Sequence, residues 1–252
     1  MQTEKPTTLI STFDEHGSTI RGKNLVDDLI GEVTFTDMMY FYILGHMPTP
    51  AQTKVLNAVL VTLVDHGMLG ALSARMVYRS SPDSIQGAVA AGMLSMGSQY
   101  GGVMEQVGRH LEDIIAATDP DAKALEIVTG YRTAKRPLPG FGHNDFRPED
   151  PRTPKLLKVA EAAGVPGKHI AALRRLARTV DTVVGKHITI NATAGMAALL
   201  GEIGVPWKIM RGFALISRAP GIVGQIYEEQ QRPAAGFIAR LAQESVAYVG
   251  EK

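Results

Sequence analysis

Apolar residues along this chain recur at helical spacing. Val55, Leu56, Val59, Leu60, Leu63 and Val64 fall at i, i+1, i+4 and i+5, which lines one face of a helix. Alternation of apolar and polar residues, the mark of a half-buried strand, is almost absent, so the chain reads as nearly all α. Thr49-Pro50 and Ser81-Pro82 have the form of an N-cap followed by proline in the first turn. Gly45, Gly130 and Gly204 stand where helices are expected to stop. About a dozen helices follow from this punctuation.

Two stretches resist helix. Met1 to Gly22 is polar and turn-rich, and Lys135 to Thr153 crowds together Pro137, Pro139, Gly140, Gly142, Pro148 and Pro151. Long irregular loops inside a compact domain tend to carry function, and this second one holds His143 between Gly142 and Asn144.

With 252 residues, 45% of them hydrophobic and 20% charged, the chain can bury a sizeable core as one large domain or as a large and a small one. It has no Cys, which excludes thiolate nucleophiles, Cys-ligated zinc and iron–sulfur clusters. The first six residues carry no basic region leading into an apolar run, and the most apolar segment, Val55 to Val64, is too short to span a bilayer. A cytoplasmic protein without a membrane partner is expected. Twenty-six Lys and Arg against 25 Asp and Glu leave a net charge of +1, which argues against a nucleic-acid partner.

Local charge is less even. From Tyr131 to Lys158 there are seven basic residues, Arg132, Lys135, Arg136, Arg147, Arg152, Lys155 and Lys158, against Asp145, Glu149 and Asp150. Such an excess suits a small polyanionic ligand or a solvated basic face. Phosphate-loop, dinucleotide, HExxH and GxSxG patterns are missing, and the seven His are scattered singly, so no metal site is expected.

Several short segments gain meaning from their order. Asp65-His66-Gly67 precedes Ser73, and Gly97-Ser98-Gln99-Tyr100-Gly101-Gly102 leads to Glu105. Pro139-Gly140-Phe141-Gly142-His143 leads to Asp150-Pro151-Arg152, then come Asn191-Ala192-Thr193 and Gly204-Val205-Pro206. Ser217-Arg218-Ala219-Pro220-Gly221 and Gln231-Arg232-Pro233 close the series. From about Arg21 to Arg240 this succession resembles the citrate synthase superfamily, particularly its short citryl-CoA lyase members.

The resemblance implies an all-α, citrate-synthase-like fold with a large helical domain, residues 1–144 and 219–252, and a small helical domain, residues 145–218. It implies that His66 and His143 hydrogen-bond a substrate keto or hydroxyl oxygen and carboxylates, that Arg152, Arg218 and Arg232 bind carboxylates, and that Asn191 also binds substrate. Guanidinium suits that task because its planar fork matches carboxylate oxygens. Arg152 has an alternative as the ion-pair partner of Asp150, and Arg218 as a helix C-terminal cation. Arg132, Lys135, Arg136, Gly140, Phe141, Gly142 and Arg147 are the expected CoA-binding segment. Homodimerisation or higher assembly is implied, with Arg232 reaching the partner's site. No permanently bound cofactor is expected; a CoA thioester enters as substrate or product.

Two positions depart from the family pattern. Tyr100 stands where citrate synthases have a His that stabilises the acetyl-CoA enol, and Thr193 stands where they have the Asp that takes the α-proton. Thr is no base near neutral pH, so citrate synthase activity is not expected. An acyl-CoA carbon–carbon lyase is the leading expectation, with His143, His66, Tyr100 and Thr193 as its catalytic residues. A β-keto acyl-CoA hydrolase and a non-catalytic CoA-ester or carboxylate binder stand as alternatives. Asp145 and Glu149 are the carboxylates nearest the motif loop in sequence. Ala192, Ala194, Gly195 and Ala197 fit either a roomy catalytic wall or close helix packing.

Overall fold

A computed structural model of the chain describes residues 5–98 and 102–250. It begins with a small antiparallel sheet of three strands, β1 (Ser11–Asp14), β2 (Gly17–Ile20) and β3 (Lys23–Asn24), in that order, with Ser11 opposite Ile20 and Thr19 opposite Asn24. The β2–β3 turn places Arg21 at φ +51° and Gly22 at φ +81°, the backbone of a type I′ turn. The sheet lies almost wholly in the stretch expected to resist helix, and the chain is otherwise all-α as expected, although strands were not foreseen there. Each strand residue stays exposed or half-exposed, so neither face needs the apolar alternation that marks a buried sheet.

The rest is helical: α1 (Phe35–Leu44), α2 (Pro50–Leu63), α3 (Met68–Ser80), α4 (Ile85–Leu94), α5 (Val103–Ala116) and α6 (Pro120–Thr133). After the long loop come α7 (Arg152–Ala163), α8 (Lys168–Val184), α9 (Ala192–Glu202), α10 (Met210–Gln231) and α11 (Ala235–Ser245). Thr49 and Gln52 form a full capping box at the start of α2, Gly45 ends α1 at φ +85°, and Gly204 follows α9 at φ +85°. Two expected boundaries move. Ser81 closes α3, its N–H bonded to the Val77 oxygen, and α4 starts only at Ile85. Gly130 lies inside α6, because its carbonyl still accepts from the Ala134 N–H, and the chain reverses at Lys135, φ +52°.

α9 is the centre of the molecule. Ala192 and every residue from Ala194 to Glu202 are buried, and α2, α5, α7 and α8 pack around it. A helix apolar on all sides needs such a jacket. Its small residues serve close packing: a Cβ on Gly195 would sit 3.3 Å from the Thr153 methyl. The apolar cluster around α9 is continuous across position 144, drawing Val107 and Leu111 from one side and Leu156 and Leu173 from the other. Glu202, at the end of α9, accepts from the N–H groups of Gly167 (2.8 Å), His169 (2.6 Å) and Ile170 (2.9 Å), and so caps α8. A smaller cluster of Ala74, Ala88, Ile222 and Ile226 joins α3 and α4 to α10.

Candidate active site

The long loop from Lys135 is irregular but tied down. Phe141 bridges to Ile190, the Gly142 N–H donates to the Thr189 oxygen at 2.7 Å, and the Asn191 N–H donates to the Gly140 oxygen at 3.0 Å. Gly140 has φ +85°, and a Cβ there would meet Ala194 Cβ and Val107 Cγ2, each at 2.7 Å. The loop can lie directly on α5 and α9 only because this residue has no side chain. His143 is thereby fixed above the N-terminus of α9.

Two backbone N–H groups, of Asp145 (3.0 Å) and Phe146 (3.1 Å), donate to His143 Nδ1, which assigns the ring proton of the neutral imidazole to Nε2. That Nε2 lies 3.2 Å from Arg152 Nη2. Both are then donors, and together they converge on a single acceptor oxygen placed between them. Phe146 backs the pair, its ring centroid 4.6 Å from that of His143 and 5.1 Å from Arg152 Cζ.

Arg152, the first residue of α7, is held by Asp150. Its Nε donates to one carboxylate oxygen at 2.9 Å and its Nη2 to the other at 2.8 Å. The same carboxylate accepts from the Arg152 N–H at 3.1 Å and the Ala192 N–H at 2.8 Å. Burial works to raise the Asp150 pKa, yet these four bonds outweigh it and hold the group below the usual carboxylate range. The ion-pair alternative for Arg152 is thus realised, and Nη1 is the part of the fork it leaves unused.

Arg218 lies mid-way along α10, so it is no helix C-terminal cation. Its side chain is buried, and Nε and Nη1 find no hydrogen-bond partner among the described residues. The nearest acid, Asp65, is 4.0 Å from Nη1. Burial lowers the Arg218 pKa and Asp65 partly offsets that. Unpaired buried guanidinium donors are costly unless a ligand completes them.

Three residues of the Ser217-to-Gly221 segment contribute here. The Ser217 hydroxyl donates to the Leu60 oxygen, Arg218 faces the cavity, and Gly221 lets the Val64 carbonyl approach α10 so closely that a Cβ would lie 1.7 Å from its oxygen. The loop carrying Asp65, His66 and Gly67 is seated by that contact. His66 makes no hydrogen bond among the described residues, and partial desolvation with the charges of Arg152 and Arg218 lowers its pKa, so it faces the cavity neutral.

These groups enclose one cavity of about 330 Å³, lined among others by Asp65, His66, His143, Arg152, Asn191, Thr193 and Arg218. Six of the expected site residues therefore come together. Asn191 is spoken for at both ends of its amide, accepting from the Ala194 N–H at 3.2 Å as the α9 N-cap and donating to the Gly142 oxygen at 3.1 Å. Thr193 stands in the first turn of α9. Tyr100 lies outside the described residues.

The other expectations scatter. Asp145 is 80% exposed and Glu149 faces His187 at 3.6 Å, so neither carboxylate lines the cavity. Arg232 ends α10 in solvent, away from the cavity of its own chain. The N–H groups of Phe141 and Gly142 are consumed internally, by Leu138 and Thr189, so neither donates to a phosphate; the segment positions His143 instead. Arg132 donates to the Val183 oxygen, Arg136 lies 5.7 Å from the Tyr131 ring, and Lys135 and Arg147 are exposed. Among the described residues no three metal-ligating side chains meet, and no helix is long and apolar enough to cross a membrane.

Sequence reasoning missed what holds Asp65. Its Oδ2 accepts from the Gly67 N–H at 3.0 Å and its Oδ1 from Gln225 Nε2 at 3.2 Å. Gln225 in turn accepts from Arg75, which is 1% exposed and paired with Glu229 at 2.8 Å. The only signal in the sequence was the place of Asp65 beside His66.

The comparisons with known proteins agree with this architecture. The profile of the citrate synthase C-terminal domain matches residues 33–241, and the chain belongs to the citrate synthase family. Citryl-CoA lyase from Hydrogenobacter thermophilus superposes with a TM-score of 0.87 at 32% identity, covering 98% of this chain and 95% of that one. Citrate synthase from Deinococcus radiodurans is 24% identical over 79% of this chain and 53% of its own length. The chain thus spans about half the length of the curated relatives it matches. ATP citrate lyase from Methanothrix soehngenii, solved with citrate and coenzyme A, shares the fold with a TM-score of 0.78 at 18% identity, over 99% of this chain and 43% of that one.

Proposed function

We infer that the chain cleaves a carbon–carbon bond in a carboxylated or β-oxygenated acyl-CoA, in the manner of a citryl-CoA lyase. The observation that carries this reading is the buried Arg218 guanidinium, whose Nε and Nη1 are unpaired in the wall of the cavity shared with Arg152, His66 and His143. Likeness along nearly the whole length of a citryl-CoA lyase supports it. In this reading Arg218 and the free edge of Arg152 take substrate carboxylates. His143, donating from Nε2, and neutral His66 polarise the oxygen on the carbon that is cleaved. Tyr100 meets the thioester enolate, and Thr193 offers it a hydroxyl. The CoA phosphates lie along Arg132, Lys135, Arg136 and Arg147, so binding weakens as salt rises. A homodimer completes the site through Arg232; α10 exposes Tyr227 and α11 exposes Phe237 and Leu241, apolar side chains suited to such a contact.

One observation favours a second reading, a CoA-ester binder without turnover: Thr193 faces the cavity with a side chain that cannot ionise. Incubation with citryl-CoA and a panel of related acyl-CoAs, followed by mass spectrometry, divides the readings. A lyase releases acetyl-CoA and a keto acid, and a hydrolase releases free CoA. Binding without turnover across the panel leaves the second reading. Condensation of oxaloacetate with acetyl-CoA to citrate is expected to be absent.

A further inference from the structure

The lyase reading needs a base for the hydroxyl proton of the substrate, and Thr193 on the cavity wall cannot supply one. Among the described residues Asp65 is the one carboxylate on the cavity wall; Asp150 is buried behind Arg152, and Asp145 and Glu149 face solvent. We propose that Asp65 is the general base that takes the hydroxyl proton of a carboxylated 3-hydroxyacyl-CoA. The proposal rests on the lyase reading.

Position and support both point to it. Asp65 is half-exposed at the cavity, and each of its oxygens accepts a single hydrogen bond, from Gly67 and from Gln225, so each keeps a lone pair for substrate. The groups facing it are Arg218 from α10, at 4.0 Å, and neighbouring His66, with Arg152 and His143 across the cavity. Behind Gln225 lies the buried Arg75. Arg75 donates to the Gln225 oxygen through Nε at 2.9 Å and also through Nη2, while Glu229 and Glu228 hold Arg75. With its oxygen committed to Arg75, the Gln225 amide must present its NH₂ to Asp65, which fixes the carboxylate from beneath. Gly221 seats the preceding carbonyl, of Val64, against α10. A residue that only balanced Arg218 would not need its own orientation fixed from three sides.

The other titratable groups on the wall fit different tasks. Desolvation, and after it the charges of Arg152 and Arg218, makes His66 harder to protonate, and His143 Nδ1 is filled by two backbone donors. His143 is thereby left with only its Nε2–H to donate, whereas Asp65 is an acceptor only.

The step balances without a co-reactant. Asp65 takes the hydroxyl proton, the O–H pair forms the C=O bond, and the carbon–carbon bond breaks. Its electron pair passes to the α-carbon of the thioester as an enolate, which takes a proton from water. The proton on Asp65 returns to solvent, leaving a keto acid and a shorter acyl-CoA.

Asp65→Asn, assayed in the full chain with citryl-CoA and the same panel, is expected to lower kcat by about 10²–10⁴-fold while KM stays within about threefold. In Asp65→Ala, added formate is expected to restore part of kcat, which a purely structural carboxylate would not allow. Asp145→Asn and Glu149→Gln are expected to leave kcat within about twofold, as exposed carboxylates off the path should. An Asp65→Asn chain with unchanged kcat overturns the proposal. So does a variant that loses KM in step with kcat and ignores formate, because that behaviour marks a counter-ion of Arg218. A wild-type chain that binds these esters and cleaves none overturns the lyase reading and the base with it.

Discussion

Arg152 and Arg218 face the same cavity from α7 and α10, and the surroundings of their charges differ. Arg152 is matched by a buried carboxylate that accepts two bonds from its fork and two more from backbone N–H groups. Arg218 is more deeply buried, yet its Nε and Nη1 are unpaired and its nearest acid stands at 4.0 Å. A paired arginine is a fixed structural part that offers one free edge. An unpaired buried arginine is a site waiting for an anion, because desolvation has been suffered without the compensating bonds. The folded chain keeps Arg218 in place by other means, namely the Ser217 hydroxyl on Leu60 and the glycine contact at Gly221.

The two sides should therefore break differently. The largest effect is expected from Gly221→Ala, which puts a methyl 1.7 Å from a backbone oxygen that cannot rotate away. Forcing α10 off the Asp65–Gly67 loop should cost about 3 kcal/mol or more, read as a fall in Tm of about 2–4 °C per kcal/mol. A wild-type Tm would show that the loop yields freely.

On the other side, Asp150→Asn turns an acceptor of four bonds into a group with an NH₂ pointed at donors. About 3 kcal/mol of stability is expected to go, along with anion binding, since Arg152 and the α9 N-terminus lose their common partner. The pH dependence has the same origin. The Asp150 pKa is lowered on folding, so the stability it confers is present above the unfolded carboxylate value and is lost as pH falls through the folded one. Acid unfolding of the wild type below about pH 4 should become shallower in Asp150→Asn. Parallel acid limbs in the two chains would remove Asp150 from that role.

Arg218→Met sharpens the contrast, because it removes a charge that nothing in the free chain matches. Tm is expected to hold or rise, while affinity for a tricarboxylate falls by about 30–100-fold, or about 2–3 kcal/mol. The pair of readings matters more than either. A drop in Tm with affinity intact would make Arg218 a structural residue.

Much of the cavity was legible in the chain because His66, His143, Arg152 and Arg218 sit in short segments whose order resembles that of the citrate synthase superfamily; taken singly, none of them marks a site. The use made of the glycines in those segments was not legible. Gly140 and Gly142 read as a ligand loop, whereas their backbone pairs with Thr189 and Asn191, some fifty residues away. The support behind Asp65 was hidden for the same reason: Arg75 lies on α3 and Gln225 and Glu229 on α10, and a lone arginine in a helix reads as surface until its partners are known. The sheet at residues 11–24 escaped because it buries no face, so its strands show no alternation to detect.

The smallest effect tests whether both arginines act on one field. Arg152 and Arg218 each lower the His66 pKa, behind desolvation as the first cause and with Asp145 opposing them. Because the folded value lies below the unfolded one, His66 resists protonation in the native chain, and stability declines as pH drops below about 6.5. Arg218→Met should shift the His66 titration upward, read from its ring proton resonances. A bound tricarboxylate should do the same in the wild type, because its charge offsets both guanidinium groups at once. The ligand-induced shift should shrink in Arg218→Met and persist in part, since Arg152 still pushes on the ring. If the mutation moves the titration and the ligand does not, the anion binds elsewhere, and the unpaired donors of Arg218 are no carboxylate site.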